Sequence, residues 1–230
     1  AYARTEGGSH YSPPDATTPD NVATLQEAWH YHTGDVRLPE DPTETTYEVT
    51  PIMIDDTLYL CTPHQIAIAL DPQTGEERWR YDSGSGVNSQ RQHQTCRGLS
   101  YYELAGAAAN AACGKRVFLP TADARLIALD AASGKVCPGF GENGVVDLSA
   151  NMPYYYAGSY YSTSPPVIAH GLIVIGGAVN DNVSTTEPSG VIRAYRADTG
   201  ALVWNFDTGN PEQTEPIPAG DTHTPNSATA

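Results

Sequence analysis

Two short spacings carry the side chains in this sequence that could do chemistry. Asp181 and Asn182 stand side by side in the run Gly176-Gly177-Ala178-Val179-Asn180-Asp181-Asn182. A carboxylate beside an amide offers hard oxygen donors, which suit Ca²⁺ or Mg²⁺ rather than zinc. His93 and Arg97 stand four residues apart in Arg91-Gln92-His93-Gln94-Thr95-Cys96-Arg97-Gly98. There one side chain could cover a planar ligand while the other pairs with a carboxylate. Glu48 lies in Thr46-Tyr47-Glu48-Val49-Thr50-Pro51, and Thr163-Ser164 precede Pro165-Pro166. Taken singly each is ordinary: a loop glutamate is solvated, a histidine among polar neighbours lies at the surface, and Asp-Asn is a common turn pair. What they share is position, because each falls at a strand–loop junction of a repeated unit. There is no glycine-rich phosphate loop, no HExxH, no CxxC and no nucleophile elbow.

The elements that must position these residues are short strands. Val167–Ile175, Gly190–Tyr195 and a third strand ending near Trp204 make one antiparallel sheet, with Asp181 and Asn182 on the loop between the first two. The turn in this stretch belongs to an internal repeat. Ala69-Leu70-Asp71-Pro72-Gln73-Thr74-Gly75 recurs as Ala128-Leu129-Asp130-Ala131-Ala132-Ser133-Gly134 and as Ala194-Tyr195-Arg196-Ala197-Asp198-Thr199-Gly200. The copies lie about sixty residues apart, in the range of propellers and solenoids. A strand pair precedes each copy, with hairpin turns at Asp55-Asp56 and His170-Gly171. The unit is therefore a four-stranded antiparallel blade, and the fold class is an all-β propeller. Blade-like units are expected at about 46–82, 98–141 and 160–209. Residues 1–45 would form an N-terminal segment ending in a stray blade strand, Trp29–Gly34. Trp79 and Trp204 fall at equivalent places and read as inter-blade packing; the middle unit has Cys137-Pro138-Gly139-Phe140 there instead. About three blades cannot close a ring, so further blades or a covering partner are expected.

Composition agrees with many turns and few helices. Glycine (21) and proline (18) are abundant, and the only helical pattern is a short one around Pro19–Ala28. A formal charge of −15 is a solubility feature and disfavours nucleic acid and anionic membrane as partners. No apolar run is long enough to span a bilayer, and the given residues show no signal-peptide pattern. Of the four cysteines, Cys113 and Cys137 bracket an expected hairpin, so a disulfide between them is sterically plausible.

The runs GGAVNDN…SGVIRAYRADTGALVW, QHQTCRGLSYYE, TYEVTPIMIDDTLYLCT, NVATLQEAWHYHTGD and STSPPVI together resemble the pyrroloquinoline quinone (PQQ)-dependent dehydrogenases. The membrane-bound glucose dehydrogenase and quinate/shikimate dehydrogenase branch is the most similar. The resemblance implies an eight-bladed propeller with PQQ near its axis, a bound Ca²⁺ or Mg²⁺, a periplasmic location and electron transfer to ubiquinone. It implies oxidation of a sugar or polyol hydroxyl of the glucose or quinate/shikimate type. By residue, it implies that Glu48 contacts PQQ, His93 covers one face of it, and Arg97 pairs with a PQQ carboxylate. Thr163 would lie near hydroxyls that bind PQQ. Asp181 and Asn182 would ligate the metal, with Gly177 beside them. The catalytic base and the remaining blades are expected beyond Ala230, and so is the tryptophan floor under PQQ, unless Ala228 replaces it. The chain would then be an N-terminal portion of the catalytic domain, with membrane contact only through segments outside it. A non-catalytic propeller scaffold, or a fragment inactive alone, are the competing readings.

Overall fold

A computed structural model describes residues 16–180 and 182–226 of the chain. Short strands dominate it. Strand β1 (Glu44–Thr45) precedes a four-stranded sheet of β2 (Ile52–Ile54), β3 (Thr57–Cys61), β4 (Ile66–Leu70) and β5 (Glu77–Asp82). Then β6 (His93–Gln94) leads into a second sheet of β7 (Ser100–Glu103), β8 (Lys115–Pro120), β9 (Arg125–Asp130) and β10 (Val145–Asp147). Next comes β11 (Tyr160–Tyr161), followed by β12 (Val167–Ala169), β13 (Leu172–Ile175), β14 (Ala178–Val179), β15 (Ile192–Arg196) and β16 (Leu202–Phe206). Strands β12, β13, β15 and β16 form the third sheet, and each of the three sheets is an antiparallel meander in chain order. Two two-stranded ladders, β1 with β6 and β11 with β14, lie outside the meanders.

The turn chemistry explains the repeat. Asp71 accepts hydrogen bonds from the backbone of Gln73 and Thr74, and Asp130 does the same for Ser133. Each turn ends on a glycine with φ between 70° and 75°, at Gly75, Gly134 and Gly200. Glycine reaches that backbone region without the strain that a Cβ would add. The β4–β5 and β15–β16 pairs also carry a register shift at the same place, after Ala69 and after Ala194. The β12–β13 hairpin turns on His170 and Gly171, both at positive φ, as a two-residue turn between twisted strands requires.

The sheets stack face to face, and the core lies between them. Phe118, Leu126, Phe140, Tyr160 and Ile173 pack between the second and third sheets. Tyr59, Ala67, Leu119, Ile127 and Leu129 pack between the first and second. Trp79 sits opposite Ala69, lies over the backbone of Gly134, and donates its indole N–H to the Ala131 carbonyl at 3.0 Å. That is the inter-blade packing its position in the repeat suggested. Trp204 occupies the same ladder place opposite Ala194, but no fourth sheet follows it among the described residues.

Two expectations are corrected. The helical pattern at Pro19–Ala28 yields only a 3₁₀ turn, Val22–Thr24. Nothing in that turn is buried, so no packing rewards a longer helix. Trp29–Gly34 is not a strand. The segment docks by side chains, with Trp29 over Gly75 and its indole bonded to the Pro72 carbonyl at 3.1 Å. It thus does for the first sheet what Trp79 does for the second, without a ladder partner among the described residues. The Cys113–Cys137 disulfide is formed, with Cα atoms 5.7 Å apart, and a second bridge joins Cys61 to Cys96 at 5.9 Å.

Candidate functional site

Three stretches of chain meet at the ends of the sheets. The parallel ladder of β1 and β6 sets Glu44 opposite His93 and Thr45 opposite Gln94. The backbone N–H of Thr50 donates to the Arg97 carbonyl at 2.9 Å, and that of Arg97 to the Thr163 carbonyl at 2.8 Å. Arg97 is therefore fixed on both sides by main chain. The Cys61–Cys96 disulfide holds the same loop to the end of β3. Below it Gln94 and Gln65, both buried, donate to the Pro63 carbonyl.

On that frame Glu48, Arg97 and Thr163 form one cluster. Arg97 donates through Nε to Glu48 Oε2 at 2.7 Å and through Nη1 to Thr163 Oγ1 at 2.8 Å. Thr46 donates its hydroxyl to the other Glu48 oxygen at 2.8 Å. The Arg97 hydrogen bond, and then that from Thr46, hold the Glu48 carboxyl below its usual range, with the His93 charge adding to the effect. His93 lies beside the cluster. Its Nδ1 is 2.6 Å from Glu44 Oε2, and the Tyr161 ring stands 6.5 Å from its own. The side chains of Glu48, Arg97 and His93 are 41–46% exposed, so the group faces outward.

The loop that carries Asp181 and Asn182 is tied to the same place. Strand β11 pairs with β14, so Gly177 lies next to this small ladder. A Cβ on Gly177 would come within 2.4 Å of the buried Tyr160 ring, and this close approach demands glycine. Asn180, buried, donates to the carbonyls of Gln90 and Gly158 and so joins its loop to the one bearing His93. Asn182 is exposed with φ at 56°. Asp181 lies outside the described residues.

Several residues here carry no pattern in the sequence. Glu44 and Thr46 owe their places to a parallel bridge between segments about fifty residues apart. Tyr161, Arg91 and Asn180 are buried, and each keeps a polar atom without a protein partner: the Tyr161 hydroxyl, Arg91 Nε and Nη1, and Asn180 Oδ1. Burial raises the Tyr161 pKa, against the pull of the nearby Gln92 and His93 backbone. Only burial could have singled these residues out.

The donor set fits a planar, anionic quinone. A guanidinium and a hydroxyl stand ready for a carboxylate, an imidazole backed by a buried ring stands beside them, and the face is open. The orphaned Asn180 oxygen, in the same run as Asp181 and Asn182, adds to the oxygen donors that suit Ca²⁺ or Mg²⁺. A cleft of about 350 Å³ adjoins the cluster through Thr46, bounded by Tyr31, Asp35 and Pro63. A larger one, about 450 Å³ around Asp207 and His223, shares no residue with it.

The chain is similar over most of its length to known quinoprotein dehydrogenases. The chain is 49% identical over 213 residues to the quinoprotein glucose dehydrogenase of Escherichia coli (strain K12), a match covering 91% of this chain and 27% of the relative. It is 35% identical over 241 residues to the quinate/shikimate dehydrogenase (quinone) of Acinetobacter baylyi, covering 96% of this chain and 29% of that one. The chain thus spans somewhat more than a quarter of the length of these relatives. Among solved structures, the quinohemoprotein alcohol dehydrogenase from Comamonas testosteroni superposes with a TM-score of 0.66 at 25% identity, over 90% of this chain and 26% of that one. Residues 1–230 match the family described as "PQQ: Glucose/ethanol/alcohol dehydrogenase, beta-propeller domain", and the chain belongs to that family.

Proposed function

We propose that this chain is the cofactor-holding part of a periplasmic PQQ-dependent dehydrogenase that oxidises a sugar or polyol hydroxyl, of the glucose or quinate/shikimate type, and passes electrons to ubiquinone. The observation that carries the reading is the Glu48–Arg97–Thr163 cluster with His93 beside it. When bound, PQQ supplies the two-electron acceptor that no side chain can provide. The residues of this chain do the binding and orienting. Arg97 pairs with a cofactor carboxylate, and Thr163 adds a hydroxyl to the same contact. Glu48 keeps Arg97 from swinging away, and its own low pKa keeps it an acceptor at neutral pH. His93 lays its ring against one cofactor face and keeps water off it. Asp181 and Asn182, with Gly177 allowing the close approach of Tyr160 beside them, would give oxygens to Ca²⁺ or Mg²⁺. None of these residues is placed as the base, which this reading assigns to chain outside 1–230.

The test is reconstitution of the apo-protein that carries this chain with PQQ and Ca²⁺ or Mg²⁺. The readouts are bound-quinone absorbance and dye reduction with glucose, quinate and shikimate. Wild-type protein binds PQQ and turns over one of these substrates. Arg97→Leu, which loses a charge-assisted hydrogen bond worth about 2 kcal/mol, weakens PQQ binding by roughly thirtyfold. Absence of PQQ binding with either metal would sink the proposal.

A further inference from the structure

His93 is restrained from two sides by residues that neither sequence pattern nor family resemblance singled out. Tyr161, fully buried, stands behind the ring at 6.5 Å with the planes inclined by 47°. At the ring's edge Nδ1 lies 2.6 Å from Glu44 Oε2. A carboxylate only accepts, so the proton between them sits on Nδ1, and in the neutral imidazole Nε2 is then the bare nitrogen. The pair is 44% and 64% exposed, and an exposed pair of this kind adds little to stability. Its backbone is nevertheless unusually fixed. The two residues face each other in the β1–β6 ladder, the Thr46 N–H donates to the Gln94 carbonyl at 3.1 Å, and the Cys61–Cys96 bridge pins the chain three residues beyond His93. A rigid frame spent on a weak surface contact makes sense when the contact aims a ring at a ligand.

We propose that Glu44 is a positioning residue for His93. By accepting the Nδ1 proton it fixes the tautomer and the plane of the imidazole, so that the ring meets a planar, carboxylate-bearing ligand face-on with Nε2 unprotonated. The identity of that ligand rests on the functional reading above; the tautomer does not. The same arrangement governs metal-bound histidines, where loss of the outer partner typically costs about 10–100-fold in affinity.

The experiment has two independent readouts on the protein that carries this chain. In the apo-protein, ¹⁵N-labelled histidine is followed by NMR at a pH where His93 is neutral, in wild type, Glu44→Ala and Glu44→Gln. Wild type shows His93 protonated on Nδ1. Glu44→Ala shifts the population towards the Nε2–H form, while Glu44→Gln, whose amide oxygen still accepts, keeps the wild-type pattern. PQQ titration then shows affinity falling about tenfold in Glu44→Ala and recovering in Glu44→Gln, with unchanged unfolding midpoints. An unchanged tautomer in Glu44→Ala, or Glu44→Gln behaving like Glu44→Ala, overturns the proposal. If wild type shows the Nδ1–H form but binds no PQQ, the functional reading falls while the positioning of His93 stands.

Discussion

The two junctions between neighbouring sheets solve the same problem by different means. At the first, the indole of Trp79 covers Gly134 and reaches the Ala131 carbonyl. At the second, the middle unit has no tryptophan. The loop 137–141 takes its place: the backbone of Gly141 lies over Gly200 and donates to the Thr199 carbonyl at 2.8 Å, and Phe140 fills the core beside it. A backbone loop is less rigid than a ring system, and here it is anchored by the Cys113–Cys137 bridge. The glycine turn needs a flat cover, and either a side chain or a stapled loop can supply one.

The two junctions should respond differently when their covers are removed. The largest loss follows removal of the staple. Cys113→Ser with Cys137→Ser opens a loop whose ends are 24 residues apart and costs about 3 kcal/mol by urea titration. Hydrogen exchange should rise around Ala197 and Gly200 while the Trp79 emission holds. Equal change at Trp79 would mean that the two junctions are one cooperative unit.

A smaller effect tests the indole. Gly134→Ala places a Cβ 2.6 Å from the Trp79 ring at φ +70° and should cost about 2 kcal/mol. In a Trp79→Ala background the same change should cost about 1 kcal/mol less, because only the backbone strain remains. Additive costs would show that the ring gives way freely and does not act as a lid.

The smallest effect concerns the contact before the first sheet, which is titratable where the other two are not. His64 bonds to Asp35 through Nδ1 and to Asp41 through Nε2 at 2.9 Å, tying residues 35–41 to the β3–β4 turn. Burial alone would lower the His64 pKa, but its hydrogen bonds to Asp41 and Asp35 outweigh it and the net shift is upward. The stabilisation is therefore complete below the ordinary histidine pKa of about 6.5 and is lost as pH rises through the elevated folded value. Asp41 is shifted downward despite burial, held by the Leu38 N–H and by His64, so its share disappears only in acid. A modest fall in unfolding midpoint from pH 6 to pH 8, absent in His64→Ala, is the expected result. A midpoint that falls equally in both would remove the clasp.

The repeat was legible because local chemistry writes it. Asp71, Asp130 and the three turn glycines act within five residues of themselves, and short apolar runs mark β3, β4 and β9. The Trp29 segment was misread for an equally physical reason. Its sequence has the look of a strand, but a ladder needs a neighbour, and no sequence shows whether one is present. Among the residues proposed to hold the cofactor, Glu48, His93, Arg97 and Thr163 could be picked out through the family resemblance, and the structure brings all four to one place. Glu44 and Tyr161 could not, since their role exists only through contacts across about 49 and 68 residues of chain.

The sequence by itself determined the strands of the three meanders, their turns, the repeat and the family, because these depend on periodicity, on glycine's access to positive φ and on motif order. Tertiary structure alone decided which carboxylate holds Arg97, which one aims His93, and how a unit without its tryptophan still closes on its neighbour. Those outcomes depend on side chains meeting across long loops, where the geometry of the assembled sheets, and no local preference, selects the partner.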